Sequence, residues 1–288
     1  MTAAGAIAGP GFPVQNRRSG AWSVFRIERR KLSSQLAVRV LALICLLGPF
    51  VFAGILKVQS GSPTDTLFGI WVHSSGFTVS LVLLAFAGSW GFPIIAGIVA
   101  GDMFSAEDTH GTFKTILTRS TSRSAIFWGK TLAAFVATSA LVLLLGTSSL
   151  LAGLTTVGAQ SFVDVGSAAL SPGQGLEMVV ASWLSVLPPI IGFAAIALCV
   201  SIVTRSSVLG VVIPVVVGLV FQMYTFLNAW DTVRHSLLNT PMNAWRGLFD
   251  NPSYSAPFWD GLAVSAVYTA LFLAVGYFMF RNRNVTEG

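Results

Sequence analysis

The interior stretch with dense charge of both signs is Ala100–Lys130, a polar interval between two long apolar runs. Acids come first and bases follow, an order that suits short helices, because the helix dipole favours acids at the N-terminus and bases at the C-terminus. The pattern predicts one or two short helices that bind a partner in the aqueous phase, with a solvated loop as the alternative. The charged residues of the interval are Asp102, Glu107, Asp108, Lys114, Arg119, Arg123 and Lys130.

The composition places this interval in a membrane protein. Of 288 residues, 54% are hydrophobic and only 10% are charged, whereas soluble domains carry about 25% charged residues. We therefore predict an all-α integral membrane protein. The cysteines, Cys45 and Cys199, lie in apolar runs, and His73, His110 and His235 form no ligand spacing. Neither a disulfide nor a metal site is predicted.

Six apolar runs have the roughly 17–25 residues that a helix needs to cross a bilayer. Their predicted bounds are 36–56, 77–100, 124–151, 178–203, 208–227 and 262–280. The second run contains Gly88, Gly91 and Pro93, which predict a bend. The fourth run is interrupted by Pro188 and Pro189.

Three segments flank the predicted six-span domain, residues 36–280. Residues 1–19 are rich in Gly, Ala and Pro and are expected to form a disordered cytoplasmic tail, and residues 281–288 form a second tail. Residues 20–35 are predicted to form a basic amphipathic helix at the membrane interface. A basic residue, Arg29, falls within its apolar arc. The apolar residues of that arc are Trp22, Phe25, Leu32 and Leu36.

The basic residues are distributed unevenly between the two predicted sides. Of 17 lysines and arginines, three (Lys57, Arg234 and Arg246) fall on one side, and the other 14 fall on the side of both termini and the polar interval. The positive-inside rule therefore predicts a multi-pass protein of the plasma membrane with both termini and the interval in the cytoplasm. The net charge of +6 is assigned to topology, and no nucleic-acid partner is predicted.

Residues 228–261 form the longest predicted external segment and are rich in aromatic side chains. Trp and Tyr at this density are typical of segments at a membrane–water interface. We expect a short helix or re-entrant turn that dips into the outer interface, with an ordinary aromatic belt as the alternative.

Two classes of function are disfavoured by what the predicted spans lack. No acid, base or histidine lies at the centre of a span, which argues against a proton-driven transporter and a membrane-embedded metalloenzyme. Gly129-Lys130-Thr131 resembles the end of a phosphate-binding loop, but Ser124 stands where that motif requires glycine. We therefore predict no nucleotide site, no cofactor and no enzymatic activity in this chain.

The six spans, the N-terminal interfacial helix and the polar interval together resemble the ABC-2-type family of ABC transporter permeases. The loop between spans two and three in that family begins with Glu, continues through Gly-Thr, and ends with Ser-Arg and Gly-Lys. Ser120 stands where many members have proline. The residues that carry the resemblance are Glu107, Gly111, Thr112, Leu117, Ser122, Arg123, Gly129 and Lys130.

The resemblance implies the transmembrane subunit of a bacterial ATP-driven exporter. It implies two ATPase subunits that bind ATP and Mg, a second permease subunit that completes a homodimer, and contacts with membrane lipids; it does not imply a substrate. The loop would be a coupling helix seated on the ATPase, with Glu107 and Arg123 holding its geometry or pairing with ATPase charges. The partner-binding residues expected on this basis are Asp102, Glu107, Asp108, Gly111, Thr112, Arg119 and Arg123.

Two other classes of protein compete with this interpretation. A membrane-embedded lipid-modifying enzyme would need convergent ionisable groups near one interface, and a scaffold or sensor subunit would bind a partner through the interval without transport. The external group nearest to the first requirement is scattered in sequence. It consists of Asp231, Arg234, His235, Arg246 and Asp250.

The predicted topology is tested by single cysteines at Ser120 and Ser167 in a background that lacks Cys45 and Cys199. Because the two positions are predicted to lie on opposite sides, a membrane-impermeant thiol reagent should label Ser167→Cys in intact cells and Ser120→Cys only after lysis. Labelling of both from outside would contradict six spans with cytoplasmic termini.

Overall fold

The computed structural model describes residues 20–59, 61, 68–109, 122–163, 169–226, 230–250 and 254–282, with the side chains of Asp108, Thr109 and Phe226 left out. Within these ranges six helical stretches are long and apolar enough to cross a membrane, in agreement with the predicted all-α membrane fold. We number them spans 1 to 6. They are Leu36–Val58, Gly76–Glu107, Arg123–Thr156, Pro172–Thr204, Ser207–Thr225 and Ala256–Arg281.

The elements follow each other in simple order along the chain. The α-helices are α1 (Ala21–Ser34), α2 (Leu36–Val58), α3 (Gly76–Phe86), α4 (Phe92–Ala100), α5 (Ser105–Thr109), α6 (Arg123–Thr156), α7 (Pro172–Ser185), α8 (Leu187–Thr204), α9 (Ser207–Phe226), α10 (Asp231–Ser236) and α11 (Ala256–Arg281). Two 3-10 helices lie at Gly69–Trp71 and Pro241–Phe249. A short antiparallel pair joins β1 (Phe162–Val163) to β2 (Ala169–Leu170), with Phe162 opposite Leu170.

Spans 2 and 4 are interrupted where glycine and proline predicted it. In span 2, α3 and α4 are separated by a π-helical turn at Ala87–Gly91, and Pro93 lies in the first turn of α4. In span 4, α7 ends at Ser185 and α8 begins at Leu187, so that Pro189 lies near its start, where a missing amide hydrogen removes no helical bond. The bends therefore arise from local backbone chemistry.

Helix α1 packs along the first turns of span 3. The contact is close because span 3 carries Gly129 there: a β-carbon added to Gly129 would lie 2.6 Å from the β-carbon of Val24 and 2.7 Å from the carbonyl oxygen of Ala21. Small residues allow helix backbones to approach in this way. The buried side chains of α1 are Phe25, Glu28 and Leu32.

The apolar arc predicted for this helix is partly wrong. Phe25 and Leu32 are buried as expected, but Trp22 is 57% exposed and Leu36 is 76% exposed. The reason is that α1 ends at Ser34, and the extended backbone of Gln35 (ψ 131°) starts a new helix with a different axis. Leu36 therefore belongs to span 1 and not to the face of α1.

The described part of the aromatic-rich segment, residues 230–250 and 254–261, packs against the helical bundle at the end opposite to α1. Its 3-10 helix, Pro241–Phe249, contacts α7 and α11 and buries Trp245 and Phe249, each 1% exposed. Phe68 lies between them and Phe162, with ring centroids 4.8 Å from Phe249 and 5.8 Å from Phe162. A short helix was predicted here, and one is present; the buried aromatics form a protein core, whereas Trp230 and Trp259 remain exposed.

Replacing Gly129 with valine should destabilise the protein because the added side chain overlaps α1. We expect a loss of about 1–3 kcal/mol, the usual cost of forcing extra atoms into a packed contact, seen as a lower melting temperature of the purified protein in detergent. The matched control is Gly54→Val, since a β-carbon at Gly54 meets nothing within 4 Å. Equal melting temperatures for the two variants would show that α1 does not pack on Gly129.

Candidate functional site: a buried ion cluster at the base of the polar interval

Four charged side chains meet where the polar interval joins spans 2 and 3. Lys130 of span 3 lies between Glu28 of α1 and Glu107 of α5, with Nζ 2.9 Å from Glu28 Oε1 and 2.6 Å from Glu107 Oε1. Lys31 lies at the outer side, with Nζ 3.7 Å from Glu107 Oε1 and 3.9 Å from Glu28 Oε2. Two carboxylates and two ammonium groups make the cluster formally neutral. We call these four residues the ion cluster.

The ammonium group of Lys130 is fully satisfied although its side chain is only 1% exposed. An ammonium has three donors, and here they reach Glu28, Glu107 and the carbonyl oxygen of Met103, the last at 2.9 Å. Nζ also lies 5.5 Å from the ring centre of Phe104, a distance at which the ring face attracts a cation. A buried charge is tolerated only with such complete pairing.

The local sequence explains why these side chains converge. Glu28 follows Phe25 by three residues and precedes Leu32 by four, so all three lie on the face of α1 that contacts span 3. Lys130 directly follows Gly129, where α1 comes closest to span 3. Glu107 stands at the last turn of the span 2 stretch, so the cluster ties α1, span 2 and span 3 together.

A second set of polar contacts joins the end of span 2 to spans 4 and 5. The hydroxyl of Ser207 donates to Asp102 Oδ1, and Ser105 Oγ lies 3.0 Å from Ser207 Oγ. Ser201 of α8 donates to Ser105 Oγ at 3.2 Å and accepts from the Ser105 amide at 3.1 Å. The start of the interval is thus hydrogen-bonded to two further spans.

A close helix crossing places these polar groups within reach of one another. A β-carbon added to Gly101, at the end of α4, would lie 2.4 Å from the carbonyl carbon of Gly210 in α9. The absence of both side chains lets the two backbones touch, which brings Asp102 beside Ser207.

The far end of the interval is attached to span 6. Arg123, the first residue of α6, donates from Nη1 to the carbonyl oxygen of Arg281 at 2.7 Å. A cation at this position also faces a helix C-terminus, where the dipole favours it. The rings of Phe104 and Phe280 also pack against each other at this end, with centroids 5.2 Å apart. We call this end of the bundle, where Glu28, Glu107, Arg123 and Arg281 lie, the basic end.

The expected partner-binding residues divide into two groups. Asp102, Glu107 and Arg123 are in the structure and contact other parts of this chain. Glu107 is expected to bind a partner in the aqueous phase, yet its side chain is only 4% exposed and pairs with Lys130 of this chain. The physical reason is that α1 and span 3 cover it. Its charge is therefore paired within this chain at the base of the loop.

The remaining expected residues cannot be located in this way. Gly111, Thr112 and Arg119 lie outside the described residues, as does Lys114, and the side chain of Asp108 also lies outside them. The predicted coupling helix falls mostly on this part of the chain; the predicted tail 1–19 and all but the first two residues of the predicted tail 281–288 also lie outside the described residues.

Glu28 and Lys31 were not recognised from sequence as members of this site. A signal was present: Glu28 is the first acid in the chain, in a segment otherwise rich in arginine, and it lies between two apolar residues at helical spacing. An acid on the apolar face of an otherwise basic helix indicates a buried cationic partner.

At the opposite end, the group Asp231, Arg234, His235, Arg246 and Asp250 is partly brought together. Arg234 Nη2 pairs with Asp231 Oδ1 at 2.9 Å, and Arg234 and Arg246 line one cavity. His235 lines a separate, smaller cavity with Asp260. Within the described ranges, no three His, Cys, Asp or Glu side chains are arranged to hold a metal ion.

Removing the central charge of the ion cluster should destabilise the protein strongly. Lys130→Met leaves two buried carboxylates facing each other, and breaking a buried ion pair in this way costs about 3–5 kcal/mol. We expect a large fall in melting temperature, whereas Lys57→Met, which removes an exposed lysine, should have little effect.

A triple variant separates charge from packing at the same site. Glu28→Gln, Glu107→Gln and Lys130→Met together remove all three charges, and part of the lost stability should return, because no uncompensated charge stays buried. If the Lys130→Met and Lys57→Met variants have the same melting temperature, the ion cluster does not form.

Comparison with known proteins places the chain in a family. Among curated proteins no match is found. A family model whose description reads protein of unknown function (DUF2705) matches residues 40–286. That range includes spans 2 to 6 and the ion-cluster residues Glu107 and Lys130, while Glu28 and Lys31 precede it. Because the match extends over most of its 288 residues, the chain belongs to the DUF2705 family.

Proposed function

We propose that this chain is the transmembrane permease subunit of an ATP-driven exporter, working with separate ATPase subunits. The observation that carries the proposal is the ion cluster, which fixes the base of the polar interval to α1, span 2 and span 3. A loop that only satisfied charge topology would have no need of a buried, fully paired lysine at its base.

The contacts at the basic end suggest how a movement of the loop would reach the membrane. A force on the interval passes to span 3 through Lys130, to spans 4 and 5 through the Asp102–Ser207 and Ser105–Ser201 contacts, and to span 6 through Arg123. Rigid elements joined by hydrogen bonds and ion pairs transmit such displacements. ATP-driven closure of two ATPase subunits would supply the force.

The orientation of the chain in this proposal follows from charge. Fourteen of the 17 basic residues belong to the termini and the loops at the basic end, which we place in the cytoplasm of a bacterial cell, with α1 lying at the membrane interface. ATP and Mg would bind to the partner and not to this chain.

A second copy of the chain completes the proposed transporter. Span 5 presents an outward apolar row at helical spacing, Val208, Val212, Val216 and Val220, each between 45% and 69% exposed. Such an apolar face can be covered by lipid or by a second permease subunit. The exporter that we propose needs a second subunit packed against part of the bundle surface.

The proposal is tested by loop variants that avoid the ion cluster. The full chain is co-expressed with each soluble ATPase that its adjacent coding regions are found to encode, and recovery of the ATPase and its hydrolysis rate are measured. Arg119→Glu should leave the melting temperature unchanged. It should lower ATPase recovery by at least about tenfold, because a charge left unpaired in an interface costs roughly 2–5 kcal/mol.

Asp164→Lys, a charge reversal of the same kind predicted to lie on the other side, is the matched control. It should retain the ATPase. If the wild-type chain neither retains an ATPase nor stimulates hydrolysis, the exporter assignment is wrong. Retention of the ATPase without ATP-driven export would favour a scaffold or sensor subunit. Normal retention by Arg119→Glu would place the contact elsewhere.

A further inference from the structure

A polar cavity of about 470 Å³ lies at the end of the bundle opposite to the ion cluster. Its walls come from the π-helical turn of span 2, the last turns of span 5, α10 and the following 3-10 helix. The polar residues that line it are Ser89, Gln222, Thr225, Arg234, Thr240, Asn243 and Arg246.

The cavity gathers positive charge where the chain otherwise has little. Only three basic residues are predicted for this side, Lys57, Arg234 and Arg246, and two of them line this cavity. Arg234 is paired with Asp231. For Arg246, no acid lies within ion-pairing distance among the described residues. The cavity therefore carries one formal positive charge that this part of the chain does not balance.

Arg246 is exposed at the surface of the chain, so its guanidinium is accessible to a ligand that enters the cavity. Neighbouring atoms partly desolvate that guanidinium and lower its pKa, although the residue keeps contact with solvent. The guanidinium carbon lies 5.8 Å from the ring centre of the adjacent Trp245.

The hydrogen-bonding groups of the wall fall into two kinds. The hydroxyls of Ser89, Thr225 and Thr240 donate to carbonyl oxygens of their own segments, so they offer only lone pairs to a ligand. Gln222 is 6% exposed, and its carbonyl oxygen accepts from Asn239 at 3.1 Å, which turns its amide nitrogen away from that bond. The donors that remain for a ligand are therefore those of the Arg246 guanidinium and of the Gln222 and Asn243 amides.

The third feature of the cavity is its apolar rim. Ala85, Phe86 and Trp90 of span 2 complete the lining, and Phe86 and Trp90 are 46% and 48% exposed on the surface of the bundle. A ligand whose anionic group is held inside would therefore have apolar surface beside it on the membrane-facing side.

We propose that this cavity binds a phosphate-bearing anion, held by Arg246 and Arg234 with the amides of Gln222 and Asn243. Phosphate oxygens match the planar fork of arginine, which donates two parallel hydrogen bonds. The phosphate can belong to a lipid headgroup or to a soluble phosphate ester. This proposal does not depend on a partner ATPase, so it stands or fails separately from the exporter assignment.

The test uses the purified full chain in detergent with three probes. These are a short-chain phosphatidic acid, phosphatidylcholine with the same chains, and glycerol phosphate, and binding is followed by tryptophan fluorescence and by the rise in melting temperature. Phosphatidic acid should bind the wild type, and Arg246→Gln should weaken it at least about tenfold, the usual effect of losing a hydrogen bond to a charged group. Lys57→Gln, which removes one basic charge at a site away from the cavity, should bind as the wild type does.

The outcomes separate the two sources of phosphate. Binding of phosphatidic acid well above glycerol phosphate assigns a lipid headgroup, whereas equal binding assigns a soluble phosphate ester. Arg246→Lys keeps the charge without the fork and should bind with intermediate affinity, which gives a second measurement if Arg246→Gln folds poorly. Equal binding by all variants, or an equal loss in Lys57→Gln, would overturn the proposal.

Discussion

The buried ammonium group of Lys130 is the constraint on which the basic end of this molecule depends. A charge with 1% exposure persists only if every donor is paired, and its three partners come from α1, α5 and the turn before α5. Each of these segments must therefore occupy one position relative to span 3. The close approach of α1 at Gly129 and the hydroxyl contacts around Ser105 are compatible with that single arrangement.

This constraint divides the polar interval into two parts with different roles. Its two ends, around Asp102–Glu107 and Arg123–Lys130, are bonded to the bundle, and their charges serve the fold. The residues between them include the Gly-Thr pair of the family-like pattern and Arg119, which is expected to bind the partner. In the exporter that we propose, the two ends hold the interval against the bundle, and the residues between them bind the ATPase.

The spans could be predicted from sequence because long apolar runs and glycine–proline breaks are local signals. All six appear with bounds within seven residues of those predicted, and the breaks fall at Ala87–Gly91 and between Ser185 and Leu187. The ion cluster could not be predicted in this way, because Glu28 and Lys130 lie 102 residues apart and their pairing depends on the angle of α1. The same limit applies to Arg234 and Arg246, which share a cavity only after residues 230–250 fold onto the bundle.

The separation of Glu28 from Lys130 also has a consequence for biogenesis. During synthesis the carboxylate of Glu28 leaves the ribosome 102 residues before its partner, and Glu107 precedes Lys130 as well. Until span 3 is inserted, both acids must stay hydrated, which keeps α1 away from the final contact surface. Helix α1 can therefore reach its final position only after span 3 has formed. The ion pairs of Lys130 thus form late in synthesis, and they join α1, span 2 and span 3.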